Sequence, residues 1–155
     1  MRELRGNLDV EKTWKVAVIT SRFNEEVTSK LKQGCLGEME NLGFQSTQVT
    51  DISVPGAYEI PLAARRCIEQ GYDGVIALGA VIRGETSHYD YVCNAVERGC
   101  SELQIRSGHP VVFGVLTTED EAQAFDRIGG QHGHKGVESA QVLVEMLNLN
   151  KLITP

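Results

Sequence analysis

Four short apolar runs, each followed by a stretch with helical spacing, constrain this chain more than any other feature. Lys15–Thr20 (KVAVIT) reads as a buried strand, Thr47–Val54 (TQVTDISV) as a second, Gly74–Ile82 (GVIALGAVI) as a third and Pro110–Thr117 (PVVFGVLT) as a fourth. No two are joined by a two-residue turn. Parallel strands need long crossovers, and those are right-handed with helices covering both faces of the sheet. The expected fold is therefore α/β: a three-layer α/β/α arrangement around a flavodoxin-like four-stranded parallel sheet, order 2-1-3-4, with a switch point beside the first strand.

The intervening segments carry helix punctuation. Asn24 is placed to cap a helix whose first turn holds Glu25 and Glu26 and which stops at Gly43. Ile60, Ala63, Ala64, Cys67 and Ile68 recur at helical spacing before Gly71. Ser87 with Asp90 forms a capping-box pattern, opening a helix with Val92, Ala95, Val96 and Leu103 on its apolar face. Thr118 and Glu121 are expected to start a further helix that ends at Gly129-Gly130. A last helix, from about Gly136 to Leu149, is apolar around too much of its circumference (Val142, Leu143, Val144, Met146, Leu147, Leu149) for a solvated surface, so self-association is its expected cover.

With 155 residues and no linker or repeat, the chain reads as one domain, residues 1–155. A net charge of −6 argues against a nucleic-acid partner, though a local arginine can still hold a small anion. No run is long enough to span a bilayer, and residues 1–15 contain no apolar leader region, so the expectation is a cytoplasmic, non-membrane protein. Cys35, Cys67, Cys93 and Cys100 form no CxxC pair, all fall in helical segments, and read as reduced, buried small hydrophobes.

Chemistry is expected where the strands end. The first delivers Arg22, Phe23 and Asn24; the second Pro55, Gly56, Ala57, Tyr58 and Glu59; the third runs from Ala80 through Ile82 to His88; the fourth ends at Thr117 and Thr118. A parallel sheet puts these on one rim. Two flat rings beside a carboxylate and backbone donors suit a planar heterocycle. Imidazole exchanges protons near neutral pH, so His88, at a helix start, is the candidate proton carrier. The helix start at Glu85–Ser87 offers free N–H groups to an anion. Arg127 lies nine residues beyond Thr118, which in a continuous helix is roughly 13 Å from the rim. Phe113 is mid-strand, and Lys135 follows a glycine-rich loop. If these three serve a site, it is more naturally that of a neighbouring subunit. His132 and His134 in GGQHGHKG lack an evident third ligand, so no metal site is assigned.

The motifs RFN, VPGAYEIPLAA, LGAVIRGETSHYDYV, FGVLTTE and KGVESA, in this order along essentially the whole chain, resemble those of the lumazine synthase family. The resemblance implies a transferase of riboflavin biosynthesis. It condenses 5-amino-6-(D-ribitylamino)uracil with 3,4-dihydroxy-2-butanone 4-phosphate, giving 6,7-dimethyl-8-ribityllumazine, phosphate and water without metal or organic cofactor. By the same resemblance, Phe23 stacks on the pyrimidine. Ala57, Tyr58 and Glu59 hold the ribityl chain and ring edge, and Ala80, Val81 and Ile82 line the pyrimidine pocket. Glu85 and Thr86 contact the phosphate ketone through backbone N–H groups, and His88 donates the proton. Phe113, Arg127 and Lys135 come from the adjacent subunit, with Arg127 on the phosphate.

The resemblance further implies homopentamers. The loop before the last helix lacks the insertion of members that stop at that size, which favours twelve pentamers in an icosahedral shell. About Glu3–Leu8 would add a strand to a neighbour's sheet, and riboflavin synthase is an implied partner. Two positions depart from the family pattern: GGQHGHKG stands where GTKAGNKG is usual, and Glu85 where a small residue is often found. Neither removes a proposed catalytic group.

Three rivals share parts of this pattern. A flavodoxin-type electron carrier needs a small, Ser/Thr/Gly-rich loop after the first strand, whereas SRFNEE is bulky and acidic. A receiver module needs an acidic pair after that strand and an aspartate ending the third, where Ile19-Thr20 and Ala80-Val81 stand. A purely structural shell protein would assemble without forming the lumazine.

Overall fold

A computed structural model describes residues 1–154. The chain runs β1 (Val16–Ser21), α1 (Glu25–Leu42), β2 (Val49–Val54), α2 (Ile60–Glu69), β3 (Gly74–Ile82), α3 (His88–Ser107), β4 (Val111–Thr118), α4 (Glu121–Phe125), β5 (Ile128–Gly130), β6 (Gly133–His134) and α5 (Lys135–Ile153). The main sheet is parallel in the order β2-β1-β3-β4, as the sequence pattern requires.

Both faces of β1 and β3 are buried, which explains their continuous apolar runs. On one face, α1 and α5 pack Leu31, Met39, Leu143 and Val144 against Val16, Val18, Ile76 and Leu78. On the other, α2 and α3 pack Ile60, Ala64, Val96 and Cys100 against Ala17, Ile19, Val75 and Ala77. Each fully buried Leu, Ile or Val contributes roughly 1.5–3 kcal/mol, so the two cores supply most of the drive to fold.

Four expectations need correction. Asn24 sits at the α1 start but its side chain makes no cap. Ser87 likewise makes no side-chain cap: its backbone is already helical (φ −69°, ψ −1°) and the Asp90 N–H goes to the Ser87 carbonyl at 3.0 Å, while the Asp90 carboxylate of the expected box pairs with Arg83. The fourth helix is capped by Asp120, whose carboxylate accepts the Gln123 N–H at 2.8 Å, and it stops at Phe125 rather than at Gly129-Gly130. Those glycines belong to a small antiparallel hairpin, β5–β6, closed by the two-residue turn Gln131-His132, a connection the sequence pattern did not anticipate. Gly129 (φ 103°) and Gly133 (φ 75°) adopt left-handed backbone there, which glycine tolerates without strain.

The last helix carries two apolar stripes. Ala140, Leu143, Val144 and Leu147 are buried, whereas Val142, Met146 and Ile153 remain exposed on this single chain. Residues before β1 lie along α5: the Asn148 side-chain amide donates to the carbonyls of Asn7 (3.0 Å) and Asp9 (2.9 Å). Among the described residues, no helix is long and apolar enough to cross a membrane.

Candidate active site

The site is built from three strand exits at the switch point between β1 and β3. After β1, the Arg22 and Phe23 N–H groups donate to the carbonyls of Val54 (2.9 Å) and Pro55 (3.1 Å), which carries Phe23 to the rim. The residue is 72% exposed, unusual for phenylalanine, and leaves its ring available as a stacking surface. Asn24 then takes a left-handed conformation (φ 61°), and its amide donates to the Ala80 carbonyl at 2.8 Å. One side chain thereby joins the β1 and β3 exits.

After β2, Pro55-Gly56 leads into a single 3-10 turn, Ala57–Glu59. Ala57 is buried and Tyr58 exposed. The Glu59 carboxylate accepts the Gly56 N–H at 2.9 Å, so it curls over its own turn, and the residue is exposed. After β3, residues 83–87 form an exposed loop, and His88, also exposed, is the first residue of α3. Thr86 Oγ1 accepts the His88 N–H at 3.4 Å.

These exits border a cleft of about 710 Å³. Phe23, Ala57, Tyr58 and Glu59 form one part of its wall; Ala80, Val81, Ile82, Thr86 and His88 form another. Asn24, expected at this rim, also borders it, as do Tyr89 and Val92, which were not singled out from the sequence for this role. Glu85 is exposed and does not border it. The volume lies in the usual range for small-molecule sites.

Phe113, Arg127 and Lys135 are elsewhere. They border a second cleft of about 330 Å³ along the edge strand β4, together with His132 and Glu138. Arg127 Nη1 donates to the Gln123 carbonyl at 2.7 Å, the Arg127 carbonyl accepts the Lys135 N–H at 2.8 Å, and Lys135 Nζ lies 4.0 Å from Glu138. Arg127 is thus separated from the first cleft, but not by the length of a helix. α4 has only five residues, and the turn after it redirects the chain. His134 Nδ1 accepts the N–H groups of Gly136 (3.1 Å) and Val137 (3.3 Å) and so caps α5, next to Lys135.

A flanking cluster went unrecognised in the sequence. Arg83 donates from Nε to Glu119 at 2.6 Å and from its two terminal nitrogens to Asp90 at 3.3 and 3.4 Å, while its guanidinium lies 4.3 Å from the Tyr89 ring centre. Hydrogen bonding to Glu119, then to Asp90, raises the Arg83 pKa further. Burial, followed by contact with Cys93, raises that of Tyr89.

The geometry defines a doubly wound α/β protein with a cleft of small-molecule size at its topological switch point and a separate cleft, bearing Arg127, Lys135 and Glu138, on its sheet edge. Residues 13–151 match the family described as 6,7-dimethyl-8-ribityllumazine synthase, and the chain belongs to that family. It is 52% identical over 139 residues to the 6,7-dimethyl-8-ribityllumazine synthase of Bdellovibrio bacteriovorus, covering 90% of this chain and 76% of that protein. To the protein of the same name from Coxiella burnetii it is 46% identical over 144 residues, covering 92% and 95% of the two chains.

Proposed function

We propose that this chain condenses 5-amino-6-(D-ribitylamino)uracil with 3,4-dihydroxy-2-butanone 4-phosphate to 6,7-dimethyl-8-ribityllumazine, at sites completed by a neighbouring copy. One observation carries the shared site. The first cleft is bordered by rings, apolar groups and an imidazole but by no lysine or arginine, whereas Arg127 and Lys135 border the second. A phosphorylated substrate needs a cation, so the two clefts complement one another only between copies. The exposed stripe of Val142, Met146 and Ile153 supports self-association.

In this reading the uracil lies against Phe23, with its ribityl chain along Ala57–Glu59. Ala80, Val81 and Ile82 form the floor, and the neighbour's Phe113 and Lys135 close the far side. The phosphate meets the neighbour's Arg127 and the backbone N–H groups of Glu85 and Thr86. The uracil amine attacks the ketone, and loss of water gives an imine. Phosphate is eliminated, the enol becomes a ketone, and the ribitylamino nitrogen attacks it. Loss of a second water completes the ring. Holding both partners in line contributes as much as about 7–11 kcal/mol in favourable systems. Proton transfer by a positioned His88 adds about 10²–10⁴-fold.

Mixing the two substrates with the purified protein and following lumazine fluorescence tests the reaction; no product would overturn it. Light scattering separates a pentamer from a shell of twelve pentamers, and co-sedimentation with riboflavin synthase tests that partnership.

A further inference from the structure

The loop between β3 and α3 carries the backbone donors and the imidazole of the strand-end cleft, yet little local structure holds it. All five residues from Arg83 to Ser87 are exposed, and Ser87 does not cap α3. Within the loop the contacts are the long Thr86–His88 hydrogen bond and the Ser87 carbonyl, which accepts from Asp90 (3.0 Å) and Tyr91 (3.5 Å). A helix start without a side-chain cap frays readily.

Arg83 bridges the loop from both sides. Its backbone N–H donates to the Thr118 carbonyl at 2.9 Å, extending the β3–β4 ladder by one residue. Its guanidinium makes a two-pronged contact with Asp90 in the first turn of α3, a 2.6 Å bond to Glu119 beyond β4, and a stack on Tyr89. Tyr89 and Asp90 directly follow His88. A planar fork engaged in three directions fixes orientation in a way a lysine cannot. Glu119 is anchored in turn, because its N–H donates to the Gln123 side chain at 2.9 Å. Arg83 itself borders neither cleft.

We propose that Arg83 is a positioning residue: by clamping the first turn of α3 to the end of β4, it sets where His88 and the Glu85–Thr86 N–H groups meet substrate. This rests on reading the strand-end cleft as the active site. Each ion pair alone is exposed and contributes little to global stability, so the effect is expected in turnover and local order rather than in folding.

The test combines Arg83→Ala, Arg83→Lys, His88→Ala and the double variant Arg83→Ala/His88→Ala. Arg83→Ala is expected to lower kcat about tenfold, part of the roughly 10²–10⁴-fold a positioned acid–base group supplies, and Arg83→Lys to stay near the alanine variant. In the His88→Ala background, Arg83→Ala is expected to slow turnover much less than it slows the native enzyme. Equal slowing in both backgrounds, or full rescue by lysine, would overturn the proposal. A second arm does not depend on activity: backbone amides of residues 84–91 should exchange hydrogen faster in Arg83→Ala while those of α1 keep their protection. If the native protein makes no lumazine, the assigned reaction falls, and unchanged exchange in this loop would independently remove the clamp.

Discussion

The side-chain amide of Asn24 reaches across the switch point to the carbonyl oxygen of Ala80, 2.8 Å away, and so ties the exit of β1 to the exit of β3. Phe23 directly precedes Asn24 and is also held through its own N–H on the Pro55 carbonyl at 3.1 Å. Asn24→Ala removes the bond and puts alanine at φ 61°, a combined cost of about 2 kcal/mol. Asn24→Gly removes the bond but accepts the backbone, so its loss of stability should be smaller. Both should raise KM for the uracil substrate alike, since both remove the tie beside Phe23. Urea denaturation with steady-state kinetics checks this, and an unchanged KM in both variants would show that Phe23 is held by other contacts.

The separation of His88 from Arg127 can be tested by mixing subunits. His88→Ala should slow turnover by about 10²-fold, the lower end of what a positioned acid–base group supplies. Arg127→Ala should lower kcat/KM by about 10²–10³-fold, the usual scale for truncating one partner of a buried charged contact. In assemblies refolded from an equal mixture of the two variants, about a quarter of the seams of a symmetric ring regain both native groups. Activity should then exceed the mean of the two pure variants by more than about tenfold. Activity equal to that mean would place both groups in one chain's site.

Much of the fold was legible because its signals are continuous. β3 has the bounds its apolar run predicts, β1 and β4 begin and end one residue later than expected, and Gly43 closes α1 with φ 110°. Local cap signals misled because neither residue takes the extended backbone a cap uses: Asn24 is left-handed and Ser87 already helical. The Asn24 amide is taken by Ala80, and the Asp90 carboxylate by Arg83. Gly129-Gly130 is a turn signal that fits a helix stop and a hairpin equally, and only the hairpin forms. Strand ends exposed the first cleft to pattern reading, since topology alone gathers Phe23, Tyr58 and His88. The second cleft depends on a turn after α4 that no periodicity announces. The Arg83–Glu119 contact joins residues 36 apart, beyond the reach of local pattern.

The cysteines offer a chemical check on the two cores. Burial, with a smaller push from Asp51, raises the Cys35 thiol to about 12. Burial, with a smaller push from Glu97, raises Cys100 to about 12. Both should therefore stay protonated and resist iodoacetamide at pH 8, and react only after denaturation. The linkage has a definite sign. The unfolded thiols lose their protons first, so this contribution to stability is full below about pH 8.5 and declines as pH rises toward the folded values. Mass spectrometry after timed alkylation reads the protection; rapid labelling of either residue in the folded protein would contradict this packing.

Gly136 sits where α5 crosses α1, and a Cβ there would lie 2.1 Å from the Leu31 carbonyl oxygen and 3.1 Å from the Cys35 nitrogen. Both obstacles are backbone, so no side chain can rotate away. Gly136→Ala should force the helices apart and cost about 1–3 kcal/mol, the usual range for overpacking. Gly37, on the exposed side of α1, is the control, because nothing lies within 4 Å of its would-be Cβ. There the same substitution relieves a glycine inside a helix and should stabilise by about 0.5–1 kcal/mol. Since Lys135 precedes Gly136 directly, the Gly136 variant should also weaken the second cleft, whereas the Gly37 variant should leave it intact. Denaturation midpoints and KM for the phosphate ketone, measured on both, separate a helix-crossing effect from a general response to alanine. Equal midpoints would mean that α1 and α5 can part without cost, which their close backbone approach does not allow.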